Sequence, residues 1–244
     1  MKVAIGFFGL TRSLRYTIYS ITTNIYNVFK ANNIEYDVFI HTYSLSSYSN
    51  IRNKEIITDK EEIARLNNEY KLLKADYIDI HEQDEVKKKI NMKLYRTHRD
   101  PFNSSYNSVD NFILAQYSKS KLVKLIEGTG NTYDYILFVR PDCLYKTPIS
   151  INYLSHVNDN TICIPKYDLY GKYQFNDRFS ITNMKTYKLY GETFRHLLYI
   201  SRLEVLHSET IIGKLMKSHK LNIVKIPFKF TIVRHPSFRV KYSS

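Results

Sequence analysis

Residues 3–13 read VAIGFFGLTRS, and residues 36–41 read YDVFIH. A short apolar run that stops at a glycine is typical of a buried parallel strand. Between these stretches, over residues 14–29, apolar side chains recur every three or four positions, which predicts a helix with Thr11 or Ser13 as its cap. A strand, a helix and a strand in this order indicate a parallel sheet with right-handed crossovers.

The rest of the chain continues this alternation. Strands are predicted over residues 77–81, 135–139, 161–164, 179–181 and 222–226, and helices over 82–93, 108–126, 184–190, 193–201 and 209–219. Thr58 and Glu61 form a capping box for a helix that runs to residue 73, and loops are predicted over 43–53 and 91–107. We therefore predict one α/β domain, residues 1–244, with a mostly parallel central sheet flanked by helices.

Composition excludes several classes of protein. The 244 residues are 43% hydrophobic, which rules out wholesale disorder, and their net charge of +13 favours anionic partners. The seven glycines fit neither a Rossmann G-x-G-x-x-G fingerprint nor a Walker loop. No membrane span or signal peptide is expected. Cys143 and Cys163 are expected to be reduced thiols in a cytoplasmic-type compartment, although one bridge between them stays open.

Charged residues follow two of the predicted strands. Arg140-Pro141-Asp142 comes directly after residues 135–139, and a turn with Arg12 comes after the first strand. Ligands of open α/β sheets bind beyond the carboxyl ends of the strands. Asp142 could hold a divalent cation or a ribose hydroxyl there, or it could simply cap a turn. The helix start beyond Arg12, helped by Arg15, would suit a diphosphate.

Two further carboxylates are candidates for a general base. Asp177 precedes a predicted strand, and Glu209 opens a predicted helix after Ser208. Each also has an ordinary structural explanation, Asp177 as a turn residue and Glu209 as a first-turn residue favoured by the helix dipole. The eight histidines show none of the spacings that mark a zinc site, and a G-x-S-x-G elbow is missing.

Six short motifs, taken in order, resemble a known family. They are GFFGLTRS (6–13), YDVFIHTY (36–43), NFILAQYS (111–118), YDYILFVRPD (133–142), FNDRFSI (175–181) and HSETIIG (207–213). The set is similar to a group of GT-A-type glycosyltransferases of viral and bacterial surface-glycan assembly, related to the rhamnosyltransferase domain of a chlorovirus. The resemblance covers residues 3–235 and implies a GT-A-like fold, with residues 1–142 as a nucleotide-binding half and residues 143–244 as an acceptor and catalytic half.

The resemblance also implies roles for individual residues. Leu10, Thr11 and Arg12 would contact the base and phosphates of a nucleotide-sugar, and Gln116 would face the same pocket. Asp142 would stand at the last carboxylate of the family's D-x-D metal motif, but Arg140 replaces its first aspartate. Either Asp142 holds Mn²⁺ or Mg²⁺, with His235 as a second ligand, or arginines neutralise the leaving diphosphate without a metal.

The implied reaction is transfer of a hexosyl or deoxyhexosyl group from a nucleotide-sugar, with a UDP-sugar favoured, to a glycan or glycolipid. It is expected to invert the anomeric centre with a carboxylate base, Glu209 slightly ahead of Asp177. Expected localisation is cytoplasmic, in the host if the protein is viral, with peripheral membrane contact left open. Two rivals remain: a catalytically inactive sugar-binding protein, and a basic single-stranded nucleic-acid-binding protein rich in tyrosine, although nucleic acid is not the expected partner.

Overall fold

A computed structural model describes residues 1–50 and 55–234 of the chain. Its strands, in chain order, are β1 Lys2–Phe8, β2 Glu35–Ser44, β3 Tyr48–Asn50, β4 Glu55–Ile57, β5 Tyr77–Glu82, β6 Tyr135–Val139, β7 Cys143–Tyr145, β8 Thr161–Pro165, β9 Phe179–Thr182, β10 Asn222–Ile226 and β11 Phe230–Ile232. Its α-helices are α1 Leu14–Ile21, α2 Asn27–Ala31, α3 Lys60–Leu66, α4 Gln83–Ile90, α5 Asn107–Gly128, α6 Tyr187–Gly191, α7 Phe194–Leu203 and α8 Ser208–Ser218.

Seven of these strands form one central sheet in the order β10-β8-β9-β6-β1-β2-β5. Neighbouring strands are parallel except at β9, which runs antiparallel to both β6 and β8. The predicted α/β architecture, a mostly parallel sheet flanked by helices, is confirmed. Two small antiparallel ribbons, β7 with β11 and β3 with β4, lie outside this sheet.

Both faces of the central sheet are buried. Successive residues of β6 point to opposite faces, so Phe138 lies in one buried cluster with side chains of α5 and α8, while Leu137 and Val139 lie in another with side chains of α1. This double burial explains why β1 and β6 are apolar throughout instead of alternating. Within the described residues, no helix has the length and apolar character that crossing a membrane requires.

Local differences from the predictions concern helix starts. The helix predicted over residues 14–29 is present without a break in the chain direction, but its middle turn, Thr22–Tyr26, is π-helical and separates α1 from α2. Ser13 does not cap α1, because its hydroxyl donates to the carbonyl of Val233 at 2.8 Å. Asp59 caps α3 by accepting from the Glu62 amide, so the predicted capping box at Thr58 and Glu61 is wrong by one position.

Other differences concern short segments and the thiols. The predicted helix to residue 73 stops at Leu66 and is followed by a 3-10 turn, Glu69–Leu73. The predicted loop over 43–53 includes the end of β2 and all of β3. Cys143 and Cys163 are both buried and free, as expected, and no bridge joins them.

Candidate functional site

A cleft of about 400 Å³ opens at the carboxyl ends of β1 and β6. Strand order reverses here, because β2 and β5 follow on one side of β1 and β6 lies on the other. Such a switch point leaves a crevice between the loops that leave the two strands, and ligands of α/β sheets bind in it. The cleft is lined by four arginines and three carboxylates: Arg12, Arg140, Arg178, Arg234, Asp142, Asp177 and Glu209.

The loops that follow β1 and β6 and the end of β11 contribute residues to the cleft. Gly9 leaves β1 with φ +89°, a left-handed conformation that glycine adopts freely, and its amide donates to Ser118 Oγ at 2.8 Å. The turn then directs Leu10 and Arg12 to the cleft. On the far side, the amide of Val233 donates to the carbonyl of Asp142 at 2.8 Å, which brings the end of β11 against the loop after β6.

Asp142 lies at the centre of the arginines and is 1% exposed. Arg140 donates to both of its carboxylate oxygens, from Nε at 2.8 Å and from Nη2 at 2.5 Å. Arg12 Nη2 is 3.3 Å from Oδ2, and Arg234 Nη1 is 4.0 Å from the same atom. Arg12 also bonds to the hydroxyl of Tyr48 and stacks on that ring. Asp142 therefore ties together three arginines that come from separate parts of the chain.

Electrostatics keeps this cluster charged. Burial alone would raise the pKa of Asp142, but the positive charges of Arg140 and Arg12 lower it far below its usual range. Burial acts to lower the pKa of Arg140, and Asp142 more than reverses this effect. A buried ion pair of this kind is costly to break, because either partner left alone would be an uncompensated charge.

The geometry around Asp142 does not fit a divalent cation. Both carboxylate oxygens already accept from Arg140, and Oδ2 also faces Arg12 and Arg234. A metal ion at these oxygens would displace bonds that neutralise a buried charge and would sit beside three guanidinium groups. His235, the other predicted ligand, lies outside the described residues.

The start of α1 is already occupied by a carboxylate from the chain itself. Glu69, 4% exposed, accepts from the Arg15 amide at 3.3 Å. The neighbouring amides of Leu14 and Tyr16 donate to the carbonyls of Thr11 and Ser13. An internal anion therefore lies at the helix start where a diphosphate is predicted from the sequence. Arg15 faces Glu62 and Glu69, each at 3.9 Å.

Asp177 and Glu209 both reach the cleft but differ in their surroundings. Asp177 lies two residues before β9, whose antiparallel direction places its start beside the end of β6, where the Arg140 amide donates to the Arg178 carbonyl at 3.2 Å. Within the described chain, the Asp177 carboxylate has no hydrogen-bond or ion-pair partner. Glu209, 6% exposed, is held by Ser208 and by Arg178 Nη2 at 3.5 Å.

Two predicted residues of the described chain, Thr11 and Gln116, do not line the cleft. Thr11 is 4% exposed, and Gln116 is fully buried on α5. Neither amide atom of Gln116 has a hydrogen-bond partner among the described residues. Six predicted residues do meet at the cleft: Leu10, Arg12, Arg140, Asp142, Asp177 and Glu209.

Sequence reasoning missed several residues of the cleft. Arg178 contacts Glu209 and packs over the exposed ring of Tyr170, with its guanidinium carbon 5.4 Å from the ring centroid. Phe102 and His207 lie in contact at the cleft wall, with ring centroids 5.3 Å apart and ring planes tilted by 32°. The signal for Arg178 was present, since it follows Asp177 directly at the start of a strand. Nothing local in the sequence indicates Tyr170 or Phe102.

A lysine is buried below Asp177. Lys119 on α5 is fully buried, with its ammonium 4.6 Å from the Phe8 ring centroid and 4.2 Å from that of Tyr190. It donates to the Asp177 carbonyl at 3.1 Å and to the Tyr190 hydroxyl at 2.9 Å. Burial lowers the pKa of Lys119 to about 7. This lysine links α5 to the backbone that carries Asp177.

No protein-family model matches the chain, and no curated protein matches its sequence. Solved structures do resemble it. They include galactosyltransferase LgtC in complex with donor and acceptor sugar analogues (12% identity, TM-score 0.45, 88% of this chain and 70% of that chain). They also include mouse xyloside xylosyltransferase 1 (13%, 0.45, 93% and 85%) and the bifunctional glycosyltransferase WbbM (12%, 0.44, 93% and 38%).

Proposed function

We propose that this cleft binds a nucleoside diphosphate-sugar and transfers its sugar to a hydroxyl group of a glycan or glycolipid. The observation that carries the proposal is the arginine cluster at the switch point, with the carboxylate of Asp177 beside it. A volume of about 400 Å³ falls within the range of ligand pockets. The six ordered motifs that resemble GT-A-type glycosyltransferases support the same reaction and fold family.

The arginines supply what the leaving group needs. When the anomeric bond breaks, the nucleoside diphosphate leaves with the electron pair, and its growing negative charge must be offset. Four arginines against three carboxylates leave a net positive charge on the cleft wall. Arg140 and Arg12 are held rigidly by Asp142, so they require little reorganisation during the reaction. In this proposal Asp142 acts as the anchor of the arginines.

Asp177 is the better candidate for the base. A base must accept the proton of the acceptor hydroxyl while that oxygen attacks the anomeric carbon. The carboxylate of Asp177 makes no bond to any other described residue, whereas Glu209 is held by Ser208 and Arg178. We therefore assign the base to Asp177 and assign Glu209 to the positioning of Arg178. A UDP-sugar donor, transfer of a hexosyl or deoxyhexosyl group, and inversion belong to the same proposal.

Binding can be tested by thermal shift with UDP, GDP and dTDP, each in EDTA and in Mn²⁺. We expect one nucleoside diphosphate to stabilise the protein equally in both conditions. Arg234→Met should weaken that binding about tenfold or more, since a charge-assisted contact is lost. Arg195→Met is the matched control, because Arg195 of α7 is an exposed arginine that pairs with Glu192. Equal binding by both variants, or a response to oligonucleotides alone, would contradict the proposal.

The base assignment has its own test. Single-turnover hydrolysis of the bound nucleotide-sugar avoids the need for a known acceptor, since water takes the acceptor's place. Asp177→Asn should lower this rate by about 10²- to 10⁴-fold while donor affinity stays near that of the wild type. Glu209→Gln should raise the donor Kd more than it lowers the rate. An unchanged rate in Asp177→Asn removes Asp177 from the mechanism.

A further inference from the structure

A second group of polar side chains lies on β2 and β5, outside the residues that line the cleft. Parallel register places His41 of β2 beside Asp79 of β5. Because strand side chains alternate between faces, His81 projects from the same face of β5 as Asp79. Two imidazoles and one carboxylate thus meet at the edge of the central sheet, in a cross-strand arrangement that spacing along the sequence does not reveal.

The distances between their donor atoms are short. His41 Nε2 is 2.8 Å from His81 Nδ1, and Asp79 Oδ1 is 3.7 Å from His81 Nε2. One donor atom from each of the three residues lies within 4.8 Å of the other two. His41 is fully buried, while the side chains of Asp79 and His81 are about one-third exposed. The group is therefore accessible to an ion from solvent and closed on its inner side.

The hydrogen bonds around Ser118 fix the tautomer of His41. Ser118 Oγ is 3.0 Å from the His41 carbonyl, 2.8 Å from the Gly9 amide and 2.8 Å from His41 Nδ1. The carbonyl can only accept and the amide can only donate, and the hydroxyl has one proton. All three contacts are satisfied only when Ser118 donates to the carbonyl and accepts from His41 Nδ1–H. His41 Nε2 then presents its lone pair towards His81.

We propose that His41, Asp79 and His81 bind a zinc ion, with water completing its coordination. Two imidazoles and a carboxylate are a donor set that zinc accepts, whereas Mg²⁺ and Ca²⁺ favour oxygen ligands. A proton on Nδ1 that is held by a neighbouring oxygen is the usual arrangement for a histidine that binds metal through Nε2. Two nitrogens on one tetrahedral zinc lie about 3.3 Å apart, so binding needs the histidine pair to open by about half an ångström.

The zinc site would join two strands and would connect, through hydrogen bonds, to the turn that leads into the cleft. Zinc would join edge strand β5 to β2 through side chains as well as through the backbone ladder. His41 connects through Ser118 to the amide of Gly9, the residue at which the chain turns into the cleft. The positive charges of Lys89 and Lys121 lie close enough to His81 to reduce the attraction of this site for a cation. The cleft proposed to bind nucleoside diphosphates is separate from this site, so the two proposals can fail independently.

Metal binding can be measured without any activity assay. The full chain is stripped with EDTA, dialysed and titrated with Zn²⁺, Mn²⁺ or Mg²⁺ by calorimetry and thermal unfolding. We expect one Zn²⁺ per chain and a higher midpoint with zinc alone. His81→Ala and Asp79→Asn should each weaken zinc binding at least tenfold. Both side chains are partly exposed, so these variants are better suited to the test than one at buried His41.

His196→Ala is the matched control. His196 is also half-buried and has a second imidazole nearby, since its ring centroid is 6.3 Å from that of His219. Its removal should leave the zinc titration unchanged. Failure of the wild-type chain to bind zinc, or equal zinc binding by His81→Ala and His196→Ala, overturns the proposal and leaves His41 and His81 as a neutral hydrogen-bonded pair.

Discussion

At the scale of single residues, burial decides what a charged group can do. Asp142 follows a strand end, a position that suits a ligand-binding carboxylate, yet it is enclosed by arginines that use its oxygens. The Arg140 contact is local, because only Pro141 separates the two residues in the turn between β6 and β7. Arg12 and Arg234 come from distant parts of the chain. No pattern around residue 142 could indicate them.

Lys119 shows the same principle for a cation. Its ammonium group is held by an amide carbonyl, a hydroxyl and two aromatic rings. Burial lowers the pKa of Lys119, and the charge of Asp177 offsets only part of this decrease. Below about pH 7 the folded protein carries a buried positive charge, which costs free energy. The sequence placed Lys119 on a predicted helix but gave no reason to expect it inside.

We predict that the effect of Lys119→Met on stability depends on pH. The pKa of Lys119 is about 7 in the folded chain, and the ordinary pKa of lysine is 10.5. Between these two pH values the unfolded chain holds a proton that the folded chain has lost, so the stability of the wild type rises with pH. Lys119→Met has no group that titrates at this position, so it lacks this gain in stability. Its free energy of unfolding relative to wild type should therefore fall as pH rises from 7 to 10, by at most about 1.4 kcal/mol per pH unit. Urea unfolding at pH 6.5, 8 and 9.5 measures it.

Lys124→Met provides the control for this experiment. Lys124 is exposed on the same helix, so its loss removes a charge without relieving burial. Its difference from wild type should stay level across the same pH range. A level difference for Lys119→Met as well would mean that water reaches the ammonium group.

At the scale of elements, the long buried strands and amphipathic helices were predictable, and the direction of β9 was not. β1 and β6 are apolar because both of their faces are covered, so each strand is visible in the sequence as a continuous apolar run. A four-residue strand such as β9 has the same pattern in either direction. β7 and β11, with three residues each, are too short to show any period.

These unpredictable elements complete the candidate site. Antiparallel β9 brings Asp177 and Arg178 to the end of β6, and β11 brings Arg234 to Asp142. Strand pairing decides both positions, in the central sheet for β9 and in the ribbon with β7 for β11, and such pairing depends on the whole chain. Six of the nine predicted site residues nevertheless line one cleft, because strand ends in a parallel sheet share an edge.

We predict that Gly213→Ala disturbs the site through helix packing. A Cβ at Gly213 would lie 2.6 Å from the Cβ of Tyr173 and 3.4 Å from that of Phe175. α8 would have to move away from the segment that leads into Asp177, while Glu209 lies on the first turn of the same helix. We expect a loss of about 1–3 kcal/mol in the free energy of unfolding and weaker nucleoside diphosphate binding. Chemical unfolding and calorimetry measure the two effects.

Gly128→Ala tests whether the effect is specific to this packing. A Cβ at Gly128, the last residue of α5, meets no atom within 4 Å. Alanine is also the better helix former, so stability should stay level or rise slightly. A wild-type-like Gly213→Ala would show that α8 and the segment before Asp177 are loosely packed.

At the scale of the whole molecule, the net charge of +13 divides into two parts. One part is the group of cleft arginines, which are paired and partly shielded from water. The other part is spread over the surface and includes the exposed lysines Lys74, Lys220 and Lys225. Salt screens exposed charges strongly, and it screens partly buried charges much less.

The two parts should therefore respond differently to salt. Raising NaCl from 50 to 300 mM is expected to weaken binding of a single-stranded oligonucleotide more than tenfold, because its phosphates would contact surface lysines through screened charges. Nucleoside diphosphate binding in the cleft should weaken only about threefold. The triple variant Lys74→Gln, Lys220→Gln and Lys225→Gln should reduce oligonucleotide binding and leave nucleoside diphosphate binding unchanged, as fluorescence anisotropy and calorimetry can measure. Equal salt dependence of the two ligands, with both sensitive to the lysine variant, would place nucleoside diphosphate on the open surface and not in the cleft.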